Sequence, residues 1–404
     1  MKKGLVLYIL CLFFSLSLSA QKRDIQQIEE LLKKGTQIDK AQSMAEKLLK
    51  DTANRQKANI WYLLGECRYK QYEKQNQQLY LHQKVDTAAF FANIKKVFCI
   101  YQKADSLSLT NEKVRKKLQK HLQRRAIDLN KCRSNLYFGG LFNIYKNNFN
   151  VAYSYFDDYL NCSNAHLFNS FNYVQTDTLL PKAAYWAVYC GYKNGNPVQT
   201  LHHSYTALKD MTQQLTMFQF LSEAYLLEKD TTRYIETLHE GFQKSPAFPY
   251  FFPRLFNYYS SKSDWDTCMD LTEKALSADK DNLDFHVAKS DVYLYTEKYD
   301  ECISLCDSIL ALCDTLPRAH LNAGLAYYYK AVQLDRTIKK TKADKRNILL
   351  YYTEAKPHME AYRKSAPTAD SQWALPLYII YLNLNMGEEL DEIDRYLGKK
   401  RFQQ

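Results

Sequence analysis

Tyr225, Tyr259, Tyr293 and Tyr327 stand 34 residues apart, three intervals in a row. A fixed period of that length marks a stack of two-helix repeats, because a short hairpin buries its apolar face only against a neighbour. In blocks of 34 counted from Leu215, other columns keep the same phase. Phe218, Phe252, His286 and His320 take the fourth place, and Leu221, Leu255, Lys289 and Ala323 the seventh. Further along come Tyr234, Cys268 and Cys302, then Leu238, Thr272 and Cys306, then Phe242, Leu276 and Leu310. Within 283–310 the apolar residues Phe285, Val287, Val292 and Tyr293, then Ile303, Leu305, Ile309 and Leu310, keep helical spacing. Thr296, Glu297 and Lys298 mark the break. Helices of about 14 residues are too short to be stable alone in water, so stacking must hold them. No stretch alternates with period two between strand-type turns. The expected fold is all-α.

These columns resemble the tetratricopeptide repeat (TPR), in which large, small, aromatic and proline residues recur at set places. The block from Leu215 matches it with Phe218, Leu221, Ser222, Tyr225, Leu238, Gly241 and Pro246, and departs at Tyr234, which is large where the family is small. Trp61, Leu64 and Gly65 supply part of an upstream copy, as do Gly140, Phe149, Ala152 and Phe156. Downstream, Ala355, Met359, Tyr362, Pro367 and Trp373 fit the same phase. The resemblance implies a right-handed α-solenoid of stacked helix-turn-helix repeats. Its concave groove, lined by the first helix of each repeat, would hold a protein or peptide partner. Carrying the groove places onto this chain selects Gln219, Glu223, Tyr250, Asn257, Asp284, Asp291, Arg318 and Tyr328, with Leu321 and Leu325 also facing the groove. A chaperone-binding subset of the family clamps a C-terminal carboxylate with basic residues at two of these places. Those basic residues are absent here. Acids at Glu223, Asp284 and Asp291 favour a basic or neutral extended segment over an acidic one.

The N-terminus reads as a targeting segment. Lys2 and Lys3 precede an apolar run at 5–14, then small residues lead to Ala20 and a polar stretch from Gln21. Those are the three regions of a secretory signal peptide, with cleavage after Ala20, or after Ser19 as the alternative. Cys11 lies inside the apolar run, which does not fit a lipid-attachment site. The expected organisation is a signal peptide over 1–20, irregular TPR-like helices with an insertion over 21–132, and the repeat solenoid over 133–404, most regular at 215–330. Only 11 Gly and 9 Pro are present, with no linker-like stretch, so one continuous solenoid is expected. Insertions at 71–86 and 332–347 fall between the two helices of a repeat, and should lengthen helices or form a protruding loop. No stretch is long and apolar enough to suggest a transmembrane span. An exported protein, periplasmic, outer-membrane associated or extracellular, follows, with an envelope complex as its setting.

The net charge is +11, and a basic run from Lys113 to Arg125 contributes to it. Val114, Leu118 and Leu122 punctuate that run every four residues, so the charges cover the wet face of an amphipathic helix. Nucleic acid as a partner is set aside, because the aromatics sit in packing columns rather than beside this stripe, and the leader points out of the cytoplasm. Nine cysteines follow the leader, an odd number. Cys268, Cys302 and Cys306 occupy packing columns and read as small buried hydrophobes, with a disulfide elsewhere as the alternative. No nucleophile motif, phosphate loop or metal-protease helix appears. The histidines are scattered, and adjacent His202 and His203 should point to different helix faces. No cofactor, no metal and no enzyme activity are expected. A non-enzymatic scaffold or adaptor is the leading reading. The alternatives are a glycan-binding protein of an outer-membrane capture system, and an enzyme whose site is assembled across repeats.

Overall fold

In the regular hairpins the first helix ends where the backbone turns left-handed, and that device recurs along the stack. The computed structural model describes residues 21–365 and 371–401, the side chains of 399–401 excepted. The expected leader at 1–20 and Pro367 lie outside the described residues. Among the described residues there are helices and short connections and no strand. The fold is all-α, a solenoid of stacked helical hairpins.

The chain divides into two compact units, between Tyr234 and Ile235. The N-terminal unit begins with a helix over 21–34 and the helix Ile38–Leu48. Its main hairpins pair Ala58–Tyr80 with Thr87–Leu109, and Ser134–Tyr145 with Phe149–Asn161. Glu112–Cys132 lies between them in sequence, and Leu180–Lys193 is followed by the short helix Pro197–His202. In the C-terminal unit Phe251–Ser260 is followed by Trp265–Ala278, Leu283–Tyr295 by Tyr299–Leu312, Pro317–Asp335 by Lys342–Ser365, and Ala374–Asn383 by Gly387–Arg401.

The tyrosine column has a cause at the turns. Lys229, Ser263 and Glu297, again 34 apart, have φ of 60°, 58° and 61°. The N–H one residue later donates back to the tyrosine carbonyl: Asp230 to Tyr225 at 2.9 Å, Asp264 to Tyr259 at 3.0 Å and Lys298 to Tyr293 at 2.9 Å. The left-handed residue donates to the next carbonyl, as Lys229 does to Leu226 at 3.0 Å. This double closure satisfies carbonyls that the helix end leaves without partners. The same pair of bonds closes the turns at Asn143–Asn148, Gly191–Asn196 and Tyr381–Met386, and also Gln78–Gln83 within the first insertion. Several residues that close one helix also cap the next. Asn196, Asp230 and Asp264 accept from the backbone N–H of Gln199, Arg233 and Thr267 at 3.0–3.1 Å. Tyr225, Tyr259, Tyr293 and Tyr327 are each half-buried on the first helix of a hairpin.

Both insertions mostly lengthen helices. Ala58–Tyr80 and Thr87–Leu109 reach 23 residues each, leaving 81–86 as the connection. Pro317–Asp335 and Lys342–Ser365 have 19 and 24 residues, and 336–341 joins them. Thr341 and Asp344 exchange backbone-to-side-chain bonds of 2.7 and 3.1 Å, a reciprocal cap that starts the second helix.

Small residues let helices cross closely. A Cβ on Gly191 would stand 2.7 Å from the Gln199 carbonyl carbon and 2.8 Å from Thr200 Cα, so only glycine fits there. Cys268, Cys302 and Cys306 are fully buried, and the nine cysteines among the described residues are all unbonded. Leu276, which its column places between repeats, is half-buried rather than sealed in the core. In the basic run Arg125 departs from the solvated face. It pairs with Glu66 at 2.8 Å and lies 3.8 Å over the Tyr69 ring.

Candidate binding cleft

In the C-terminal unit the helices Phe251–Ser260 and Leu283–Tyr295, with the start of Pro317–Asp335, enclose a cleft of about 560 Å³. Its floor is apolar. Phe252, Phe256 and Phe285 are 5%, 8% and 5% exposed, and the Phe252 and Phe285 rings meet edge to face at 4.8 Å. Pro249, Pro253 and Val287 extend the wall. Asn257 and Asp284 stand exposed on the rim. Local capping holds that rim in place: Asn282 accepts from the Asp284 N–H at 3.1 Å and donates to Asp279 at 3.1 Å.

One side of the cleft is a polar network. Arg318 Nε donates to Asp291 Oδ1 at 2.9 Å, and Asn322 Nδ2 donates to the same oxygen at 2.8 Å. Asn322 Nδ2 also reaches Ser290 Oγ at 2.8 Å. Burial pushes the Asp291 carboxyl above its ordinary range, and the Arg318 and Asn322 contacts only partly offset this. Burial opposes the charge on Arg318, but the attraction and hydrogen bond of Asp291, with Tyr295 and Tyr362, together raise it. The guanidinium therefore stays charged, and the carboxyl is the softer partner.

Of the eight residues selected from the sequence, Asn257, Asp284, Asp291 and Arg318 line this one cleft. Tyr250 is 8% exposed, edge-on to Phe251 with the Arg254 guanidinium 3.6 Å above its ring. It is part of the core, since the helix starts only at Phe251 and the preceding turn folds the ring inward. Tyr328 is half-buried, 5.3 Å from the Tyr329 ring and 6.3 Å from Tyr352. Leu321 and Leu325 are buried, within the apolar cluster that Pro317–Asp335 shares with its neighbouring helices. Gln219 and Glu223 are half-buried on Gln214–Leu227 in the other unit.

Sequence reasoning missed two further features, both in the N-terminal unit. A hollow of about 880 Å³ opens beside Tyr62, Glu66, Val114 and His121. Glu66 on its wall is already held by Arg125 and by the Tyr101 hydroxyl at 2.7 Å. The second concerns His202 and His203, which do not diverge as expected. Both approach Asp157, His203 Nε2 at 2.7 Å and His202 Nε2 at 3.8 Å. The hydrogen bond from His203 holds the Asp157 carboxyl below its ordinary range, against the effect of burial.

No protein-family model matches the chain, and no curated protein matches it. Among solved structures, it is similar to the C-terminal part of a TPR repeat-containing protein from Cytophaga hutchinsonii, with 12% identity over 60% of this chain and 92% of that one, and a TM-score of 0.38. It is also similar to the human IFIT1 dimer with PPP-AAAA, with 15% identity, 81% and 71% coverage and a TM-score of 0.35. Yeast Tom70 shares 13% identity over 93% of this chain and 91% of its own, at a TM-score of 0.27. The scores are low, and no ligand or partner passes from these proteins to this chain.

Proposed function

We propose that the chain is an exported, non-enzymatic scaffold that holds an extended segment of a protein partner in the cleft between Phe251–Ser260 and Leu283–Tyr295. The observation that carries this reading is the convergence of Asn257, Asp284, Asp291 and Arg318 over a phenylalanine floor. An apolar floor with a few fixed polar groups is what recognition of a peptide segment needs. The Asn257 amide offers both a donor and an acceptor, which suits a peptide backbone. Exposed Asp284 favours a lysine or arginine beside an apolar anchor residue. A sugar would want flat exposed rings, whereas these phenyl rings lie at the bottom of the cleft. The reading of residues 1–20 as a leader supports an encounter in the periplasm, at the outer membrane or outside the cell.

Photo-crosslinking in whole cells tests this. A benzoylphenylalanine at Asn257 should give a discrete adduct with one partner, and Asp284→Lys should suppress it. The control position is Ile338, fully exposed in the second insertion. An adduct from Ile338 and none from Asn257 would move the contact to the insertion and defeat the cleft reading.

A further inference from the structure

We propose that Asp157, His202 and His203 form a binding site for a divalent transition-metal ion, Zn²⁺ first among them. The three side chains each offer one ligand atom, and these atoms all lie within 4.8 Å of one another. Two imidazoles and a carboxylate are donors that zinc accepts readily, with a fourth position left for water.

The geometry explains how neighbours in sequence converge. Consecutive residues of a continuous helix would point about 100° apart around its axis. Here the helix Pro197–His202 ends, and His203 has φ −108° and ψ 12°, outside helical geometry. The two rings consequently lie side by side, with centroids 4.3 Å apart at 66°. Asp157 faces them from the helix Phe149–Asn161. His203 is 12% exposed and packs 6.4 Å from the Tyr153 ring, so its position is set before any ion arrives. His202 is 56% exposed and closes the site from the solvent side.

Without an ion, His203 Nε2 and Asp157 Oδ1 share a hydrogen bond, which puts the imidazole proton on Nε2. Ligation needs a lone pair there, so the proton moves to Nδ1 or to solvent as the ion enters. Bonds of about 2.0–2.2 Å to each donor require the Asp157 oxygen to draw back slightly from His203 and the His202 ring to swing inward. Both shifts are small. An ion held in this way ties the hairpin end at 197–203 to Phe149–Asn161, and water on its open side makes it exchangeable.

The test uses the full mature chain, stripped with chelator and carrying Cys99→Ser, so that the exposed thiol does not compete. Zn²⁺ is titrated calorimetrically, and thermal unfolding is followed with and without it. One equivalent should bind and raise the Tm. His202→Ala should keep the metal-free Tm and lose at least about tenfold in affinity, as loss of a direct ligand must cost no less than loss of its outer partners. Asp157→Asn should lose affinity to the same extent. Absent binding, or equal affinity in the parent and in His202→Ala, would overturn the proposal and leave an ordinary imidazole–carboxylate hydrogen bond. His202 is mostly exposed, so its variant decides the matter even if Asp157→Asn fails to fold.

Discussion

Each unit contains an arginine–aspartate pair, and the two pairs are built for different work. In the N-terminal unit Arg133 is sealed, with its side chain 6% exposed and that of Asp177 11%. Its guanidinium lies between the rings of Tyr159 and Tyr173, at 3.7 and 3.8 Å, and meets Asp177 at 2.7 Å. The Tyr159 hydroxyl donates to the same carboxylate oxygen at 2.7 Å. In the C-terminal unit Arg318 is 39% exposed at the edge of the cleft, while its partner Asp291 is 13% exposed. The first pair joins segments that no repeat brings together. The second lies along the groove face of a regular stack, where one partner still reaches solvent. Burial of the cation separates a sealed clamp from a pair open to the cleft, because a sealed charge has no water to fall back on.

The largest effect should follow from breaking the clamp. Arg133→Ala leaves Asp177 buried without its cation and should cost about 3–5 kcal/mol. Adding Asp177→Leu should recover part of that loss, since an apolar pair tolerates burial where a lone carboxylate does not. Denaturant unfolding measures both, and hydrogen exchange should show deprotection concentrated around 112–193. Equal loss of protection over 283–335 would contradict the nearest-neighbour coupling expected of stacked hairpins.

Breaking the second pair should cost less and depend on pH. Arg318→Ala should lose about 1–2 kcal/mol at neutral pH, because the arginine is partly screened by water and the carboxyl can take up a proton. Burial already raises Asp291, and loss of Arg318 raises it further. The folded state then binds a proton more tightly than the unfolded state does. Stability of the variant should therefore rise as pH falls through the folded value towards the ordinary value near 3.8, narrowing the gap to wild type. A gap that widens on mild acidification would show that Asp291 stays ionised without its partner.

The same contrast explains what was legible in the sequence. The repeat could be read because every regular hairpin solves one local problem in one way, and Tyr225, Tyr259 and Tyr293 mark the carbonyl that each turn must satisfy. Four of the eight selected residues meet at one cleft because they keep a fixed offset from those turns. Tyr250 escaped because it precedes its helix, where the offset no longer sets direction. Leu321 and Leu325 escaped because the apolar cluster of the last hairpins takes them in, and a place in a column does not report that burial. Arg133 with Asp177, and Glu66 with Arg125, are separated by 44 and 59 residues, and no local period links such partners. The convergence of His202 and His203 depends on a helix ending between them, a break of a kind that apolar spacing does not register.

The smallest effect tests whether the two units share the turn while differing in their charge clusters. Lys229 in one unit and Ser263 in the other occupy the left-handed region with φ of 60° and 58°. A side chain there costs about 1–2 kcal/mol relative to glycine, while glycine gives back roughly 0.5–1 kcal/mol through the freedom of the unfolded chain. Lys229→Gly and Ser263→Gly should therefore each stabilise the protein by up to about 1 kcal/mol. Lys262→Gly supplies the control, since that residue lies outside the left-handed region and glycine brings only the entropic loss. Ser263→Val should destabilise, because a β-branched residue is least able to adopt positive φ. Equal gains at Lys229 and Ser263 would establish one turn serving two different cores. A gain at one site alone would show that the shared hydrogen bonds conceal unequal strain.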